Sequence, residues 1–177
     1  MVAFDIGKTF RHEKYDYYKG KRDETPDDLK RQFPVAKKIL TAMGIKYFEL
    51  DGYEADDIIG TFAKKVDENK DFVATIISSD KDLLQLISSD VDVKLLKQHD
   101  YVVMDEKTFF DTYLTQPIKM IDLKALMGDA SDNVPGVKGI GEKTALKLLH
   151  DYKSLDGIYE NIDNIKGTTK LKLEADK

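Results

Sequence analysis

The sequence predicts an α/β fold, with a parallel-sheet core over residues 1–127 and a helical module over residues 128–177. Three observations lead there. The stretch Phe72 to Ile77 is a nearly unbroken apolar run, the pattern of a strand covered on both faces. Strand-like segments alternate with helix-periodic ones, as right-handed crossovers between parallel strands require. From Asn133 onward the strand signals stop, and a glycine-rich turn leads into helical sequence.

Taken in order, Val2 to Asp5 reads as a short buried strand closed by an acid. Residues Lys8 to Arg22 carry six basic residues among four aromatics with no clean apolar stripe, which predicts a mobile lid or a lightly packed helix. Pro26, Asp27 and Asp28 open a helix, because proline fits the first turn and acids complement the dipole there. Leu29, Phe33, Ala36, Leu40 and Met43 then recur at helical spacing up to Gly44, predicting one core-facing helix. Lys46 to Leu50 reads as a strand, and Ala55, Ile58, Ile59, Phe62, Ala63 and Val66 mark one face of the next helix. Val91 to Leu96 and Tyr101 to Val103 read as further strands of the parallel sheet. Asp105 to Leu114 and Lys119 to Met127 read as helices, as does the tail carrying Ala145, Leu148, Leu149 and Tyr152.

Composition narrows the function classes. Cysteine is absent, which removes disulfides, thiolate metal sites and cysteine nucleophiles, and the three histidines, His12, His99 and His150, are far apart. No window approaches the roughly 18–20 apolar residues of a membrane span. The net charge of −5 alone argues against nucleic acid, but eight acids of the motifs below account for more than that excess. The remaining surface is basic.

Those eight are Asp5, Glu54, Asp56, Asp57, Asp80, Asp82, Asp129 and Asp132, delivered by FD, GYEADD, SSDKD and MGDASDN. Asp5 and Asp80 follow the carboxyl ends of strands, where open α/β sheets gather catalytic groups. Glu54 and Asp57 are three apart at a helix start, and Asp129 and Asp132 repeat that spacing. Taken singly, each segment also reads as a helix cap or a turn former. Brought together, so many carboxylates need cations among them, and Mg²⁺ prefers such hard oxygen donors. A surplus of acids suggests two ions, the arrangement that promotes phosphodiester hydrolysis.

Lys8, Arg11, Lys14, Lys19, Lys21 and Arg22, interleaved with Phe10, Tyr15, Tyr17 and Tyr18, combine phosphate-seeking cations with stacking surfaces, a mixture suited to single-stranded nucleic acid. Lys19 or Arg22 is placed to neutralise charge on a scissile phosphate. The alternative is a solvated helix whose aromatics pack inward. In PGVKGIGEKTA, Gly136, Gly139 and Gly141 precede a helix starting with Glu142 and Lys143. Such turns let backbone amides approach phosphate, and Lys138, Lys143 and Lys147 favour a duplex backbone. Glu142 stands where a nucleotide-binding P-loop needs lysine, so ATPase chemistry is rejected.

FDIGKTFRHE, YKGKR, YEADD, SSDKD, MGDASDN and PGVKGIGEKTA, in that order, resemble the bacterial 5′ nucleases of the flap endonuclease superfamily, especially the amino-terminal 5′ to 3′ exonuclease domain of DNA polymerase I. The resemblance implies a PIN-like core, a helical arch over residues 8–25 that threads a 5′ strand, and a helix-two-turns-helix module that grips duplex. It implies metal-site roles for the eight acids, with Asp5 and Asp80 catalytic beside Lys19 and Arg22. Arg11, Tyr18, Lys19 and Arg22 would contact DNA from the arch, and Gly136, Lys138, Gly139, Gly141 and Lys143 from the glycine turn. The cofactors implied are two Mg²⁺ ions, replaceable by Mn²⁺, and K⁺ on carbonyls of the glycine turn. The partners implied are DNA with a 5′ flap, nick or single-stranded 5′ end, and RNA primer strands. Replication and repair in the bacterial cytoplasm, as a monomer away from membranes, is the implied setting. Family members begin with a further strand whose aspartate joins the metal site and continue with further helices, so the chain reads as truncated at both ends. A DNA-binding module without turnover and a Mg²⁺-dependent phosphatase are the competing readings.

Overall fold

The computed structural model describes residues 1–98 and 100–176; His99 and Lys177 lie outside the described residues. Two compact units emerge, Met1–Phe62 with Ser131–Asn133, and Ala63–Ala130 with Val134–Lys177. Strands and crossing helices make the fold α/β. Among the described residues no helix is long and apolar enough to cross a membrane.

The first unit holds β1 (Val2–Ala3), α1 (Phe10–Lys14), α2 (Asp27–Lys30), α3 (Gln32–Ala42), β2 (Tyr47–Phe48) and the start of α4 (Ala55–Glu68). β1 and β2 pair in parallel, Val2 against Tyr47 and Ala3 against Phe48. Parallel pairing puts the carboxyl ends of both strands at one edge. Asp5 and the loop before α4 therefore leave from the same side. A bridge between Thr9 and Gly52, closed by Phe10 N–H on the Gly52 carbonyl at 2.9 Å, extends that contact into the lid.

The single core-facing helix expected from Pro26 to Gly44 is instead two, broken at Arg31. Pro34 has no N–H for the Lys30 carbonyl four residues back, and its ring crowds that turn. The predicted stripe is also uncovered: Leu29, Phe33 and Met43 are exposed, and only Ala36 and Leu40 are partly covered. A two-stranded pair is too small a platform for it. Phe33 makes an edge-on contact with Phe4, just past β1, centroids 6.4 Å apart.

The second unit contains β3 (Ala74–Ser78), β4 (Val91–Lys97), β5 (Asp100–Met104), α5 (Glu106–Tyr113), α6 (Met120–Met127), α7 (Glu142–Tyr152), α8 (Leu155–Glu160) and α9 (Thr168–Ala175). β3 runs parallel to β4, Ala74 opposite Val91 and Ser78 opposite Leu95. β5 joins β4 antiparallel, which corrects the all-parallel expectation. Only residues 98–99 separate the two strands, and a parallel return needs a dozen or more.

Leu84, Val93, Phe109, Leu126, Leu149, Ile158 and Leu173 are almost wholly buried in one continuous cluster. Each contributes about 1.5–3 kcal/mol of apolar transfer. That core draws on residues before and after Gly128, so sheet and C-terminal helices stabilise one another. A second correction concerns β3. Among the described residues it pairs with β4 alone, and Ile77 on it and Val73 before it are 68% and 81% exposed, so the apolar run is not covered on both faces. An apolar run reports tolerance of burial, not the presence of a covering layer.

Candidate functional site

In the first unit the centre is Glu54, 6% exposed and placed just ahead of α4. A carboxylate this buried needs charged partners. It has two, Lys19 Nζ at 2.5 Å and Arg11 Nη1 at 3.4 Å, and the neutral Tyr18 hydroxyl donates to it at 2.9 Å. Arg11 meanwhile forms a bidentate fork on Asp57, at 2.7 and 2.8 Å. That fork holds the Asp57 carboxyl below its usual range and raises the guanidinium pKa further, against partial burial. Asp57 also accepts from Glu54 N–H at 2.9 Å, and Asp5 accepts from Ala55 N–H at 2.6 Å. The N–H groups of Glu54, just ahead of α4, and of Ala55, its first residue, are therefore met by carboxylates, which fixes both acids against the helix start. Asp56 lies in the same first turn with its side chain exposed.

Asp132 enters from the other segment of this unit. Its Oδ1 takes Arg22 Nη2 at 2.5 Å, its Oδ2 lies 3.1 Å from the Tyr18 hydroxyl, and its carbonyl accepts from Lys19 N–H at 2.8 Å. Lys19 holds a left-handed φ of 53°, which that hydrogen bond supports. The residues expected to form a lid are thus folded onto acids: Arg11, Tyr18, Lys19 and Arg22 all meet Glu54, Asp57 or Asp132.

Tyr18 has one proton and two carboxylate neighbours. Burial first, then the hydrogen bond and charge of Glu54, then Asp132, push its pKa well above the usual 10.0. Both states keep the phenol protonated below about pH 10, so its contribution is intact there; above, the unfolded chain ionises first and stability falls. Urea unfolding between pH 9 and 11 should therefore show a steeper decline in the wild type than in Tyr18→Phe. Parallel curves would contradict this placement.

In the second unit Asp80 follows β3 and caps the 3₁₀ helix Lys81–Leu86, its Oδ1 accepting from Asp82 N–H at 2.8 Å. Asp129 is held by paired backbone bonds with Val134, each 2.8 Å. Between Asp82 and Asp129 sits Lys124, its Nζ 2.6 Å from an oxygen of each. Burial, together with the charges of Asp80 and Asp129, raises the Asp82 pKa despite Lys124. Burial also works against the Lys124 charge, but its hydrogen bonds to Asp129 and Asp82 outweigh that and raise its pKa. Lys124 has no place among the sequence-derived candidates, although a basic residue in the last turn of the helix before MGDASDN was a readable signal.

Among the described residues no three acids converge closely enough to hold a metal ion by themselves; the protein's own cations stand among them. The donor set nevertheless fits magnesium, since every candidate is a hard carboxylate oxygen with no histidine or thiolate.

The glycine turn belongs to the second unit. Gly136 packs on Gly128 so closely that a Cβ would lie 2.1 Å from Gly128 N. Gly139 has a positive φ of 79°, and its carbonyl, one of those proposed for K⁺, accepts Lys172 Nζ at 2.8 Å. Lys138 N–H donates to Asp176 at 2.8 Å. Gly141 caps α7 in extended conformation, and Lys143 follows on the exposed first turn.

A family model for the N-terminal resolvase-like domain of 5′-3′ exonucleases matches residues 1–114, and one for their C-terminal SAM fold matches residues 115–177. The chain belongs to the 5′-3′ exonuclease family. It is 51% identical over 178 residues to DNA polymerase I of Streptococcus pneumoniae and 47% identical over 175 residues to that of Bacillus caldotenax, covering 97% of this chain in each case. The chain spans about a fifth of the length of these curated relatives (20%). Among solved structures it is similar to the bacteriophage T5 D15 flap endonuclease in complex with DNA and metal ions, at 27% identity and a TM-score of 0.77 over 98% of this chain and 68% of that one. As a 5′-3′ exonuclease family member, the chain has the PIN-like α/β core that the motif order implied, and its C-terminal helical module, expected as helix-two-turns-helix, matches a SAM fold.

Proposed function

We propose that this chain is a magnesium-dependent 5′ to 3′ exonuclease and flap endonuclease acting on DNA in bacterial replication and repair, in the cytoplasm and as a monomer. The observation that carries the reading is buried, charged Glu54, held by Lys19, Tyr18 and Arg11 in a chain that exonuclease family models cover end to end. Burying a carboxylate is costly, and such an arrangement serves charge chemistry better than stability.

Asp5, Glu54, Asp56, Asp57 and Asp132 in one unit, and Asp80, Asp82 and Asp129 in the other, supply oxygen donors for two Mg²⁺ ions, with Mn²⁺ as a substitute. Magnesium, when bound, activates water and neutralises charge on the phosphoryl oxygens. Arg11, assigned to DNA contact by the motif, forks on Asp57 and lies 3.4 Å from Glu54, and so orients both acids. Lys19 and Arg22, on short flexible contacts with Glu54 and Asp132, exchange those partners for the phosphate of an entering strand. Tyr18 keeps its proton near these acids and offers its ring to a base. Gly136, Lys138, Gly139, Gly141 and Lys143 contact the duplex backbone without reading sequence. The Lys172 ammonium already on the Gly139 carbonyl makes K⁺ there a competitor for that position.

The test is a 5′-labelled flap duplex incubated with the full chain in Mg²⁺, Ca²⁺ or EDTA, with a chromogenic phosphate monoester alongside. The expected result is short 5′ fragments in Mg²⁺ only and no monoester turnover. Flap retention in a gel without product in Mg²⁺ supports the non-catalytic binding module, and monoester turnover supports the phosphatase. Replacing flap DNA by an RNA-primed 5′ end measures the RNA preference.

A further inference from the structure

The Lys124 cluster lies wholly in the second unit and differs from an ordinary surface ion pair. Its acids are pinned through their backbones: Asp80 caps the 3₁₀ helix through Asp82 N–H, and Asp129 sits in a two-bond bridge with Val134. Lys124 reaches them from the last turn of α6 on a flexible four-carbon stem, with one ammonium 2.6 Å from both Asp82 and Asp129. The backbones that carry these carboxylates are held in place, and the cation reaches them on a flexible stem. Lysine carries one charge and no coordination geometry, so it neutralises only part of the local negative charge.

We infer that Lys124 is a built-in counter-ion that holds Asp82 and Asp129 together until a divalent cation takes its place, so that metal loading in this unit is an exchange of cations. The inference rests on the metal-binding reading of these acids. Lys124 is then a positioning residue, since it acts through Asp82 and Asp129 and not on the substrate.

Removing its charge has two opposed consequences. Without metal, two close carboxylates repel and the fold weakens. With metal, the entering ion meets no competitor and one more net negative charge. The experiment compares the full wild-type chain with Lys124→Met, Lys124→Gln and Lys124→Arg by scanning fluorimetry with and without Mg²⁺, and by direct Mn²⁺ titration. Lys124→Met should melt lower than wild type in EDTA, recover more on adding Mg²⁺, and bind Mn²⁺ about tenfold more tightly, the order expected for removing a unit charge beside a divalent ion at a solvated surface. Lys124→Gln keeps hydrogen-bonding capacity without charge and should follow Lys124→Met. It decides the matter if the methionine variant does not fold without metal. Lys124→Arg should stay near wild type.

Equal melting losses with and without Mg²⁺, or weaker Mn²⁺ binding in the methionine and glutamine variants, overturn the exchange. Those results leave the metal-binding reading standing. Absence of saturable Mn²⁺ binding in every chain, wild type included, overturns both.

Discussion

Asp80→Asn should lose about 10³-fold or more of the flap-cleaving rate while melting within about 0.5 kcal/mol of the wild type. The substitution separates the capping role of Asp80 from its proposed metal role. As the cap of the 3₁₀ helix Lys81–Leu86 it accepts from Asp82 N–H at 2.8 Å, and asparagine does this equally well. The turn is also fixed from the other side, where Asp80 N–H donates to Ser78 Oγ at 3.0 Å. The loop therefore survives the change. What disappears is a formal negative charge beside Asp82 and Asp129, the property a divalent ion needs. Single-turnover cleavage together with a melting curve checks both halves. A variant that cleaves at the wild-type rate contradicts the metal role, and one that is inactive only because it unfolds contradicts the capping argument.

Gly136→Ala should destabilise the chain by about 3 kcal/mol or more, lowering the melting temperature by about 6–12 °C. A Cβ there would stand 2.1 Å from Gly128 N and 2.2 Å from the Met127 carbonyl carbon, and backbone cannot step aside as a side-chain tip can. Gly128 is equally enclosed and holds a φ of 72°, so the two glycines form one close backbone crossing between the end of α6 and the glycine turn. Asp129 follows immediately, and displacing the crossing should weaken metal binding as well. Gly141→Ala is the internal comparison: nothing lies within 4 Å of its would-be Cβ, and its φ of −102° suits any residue. It should cost only the loss of a modest helix-cap preference. Equal melting temperatures for the two variants would show that Gly136 is there for a ligand, not for packing.

Gly136 also illustrates what was legible in the sequence. Glycine spacing predicted a turn with close backbone approach, and that is present, but the partner is Gly128 eight positions earlier. A glycine announces that something comes near without saying what. The acids at strand ends and helix starts were legible because capping and site geometry both place carboxylates there. Their partners were not: Arg11 meets Asp57 across 46 positions, and pairing at that range leaves no local pattern. Lys124 had a local signal, five positions before Asp129 in the last turn of α6, but its pairing with Asp82 in a distant segment had none. Two errors of fold had signals within reach. Pro34 stood inside the apolar periodicity that predicted one helix, and a two-residue link between β4 and β5 permits only a hairpin. The exposed faces of α3 and β3 had none, because hydrophobic pattern records what burial an element tolerates and not what covers it.

The most direct test of the central reading is the polarity of degradation. A flap duplex carrying one label on the 5′ end of the flap strand and another on its 3′ end, incubated with the full chain in Mg²⁺, should release short 5′-labelled fragments first while the 3′ label stays on long products. Shortening from the 3′ end, or the same fragments in EDTA, would contradict a metal-dependent 5′ nuclease.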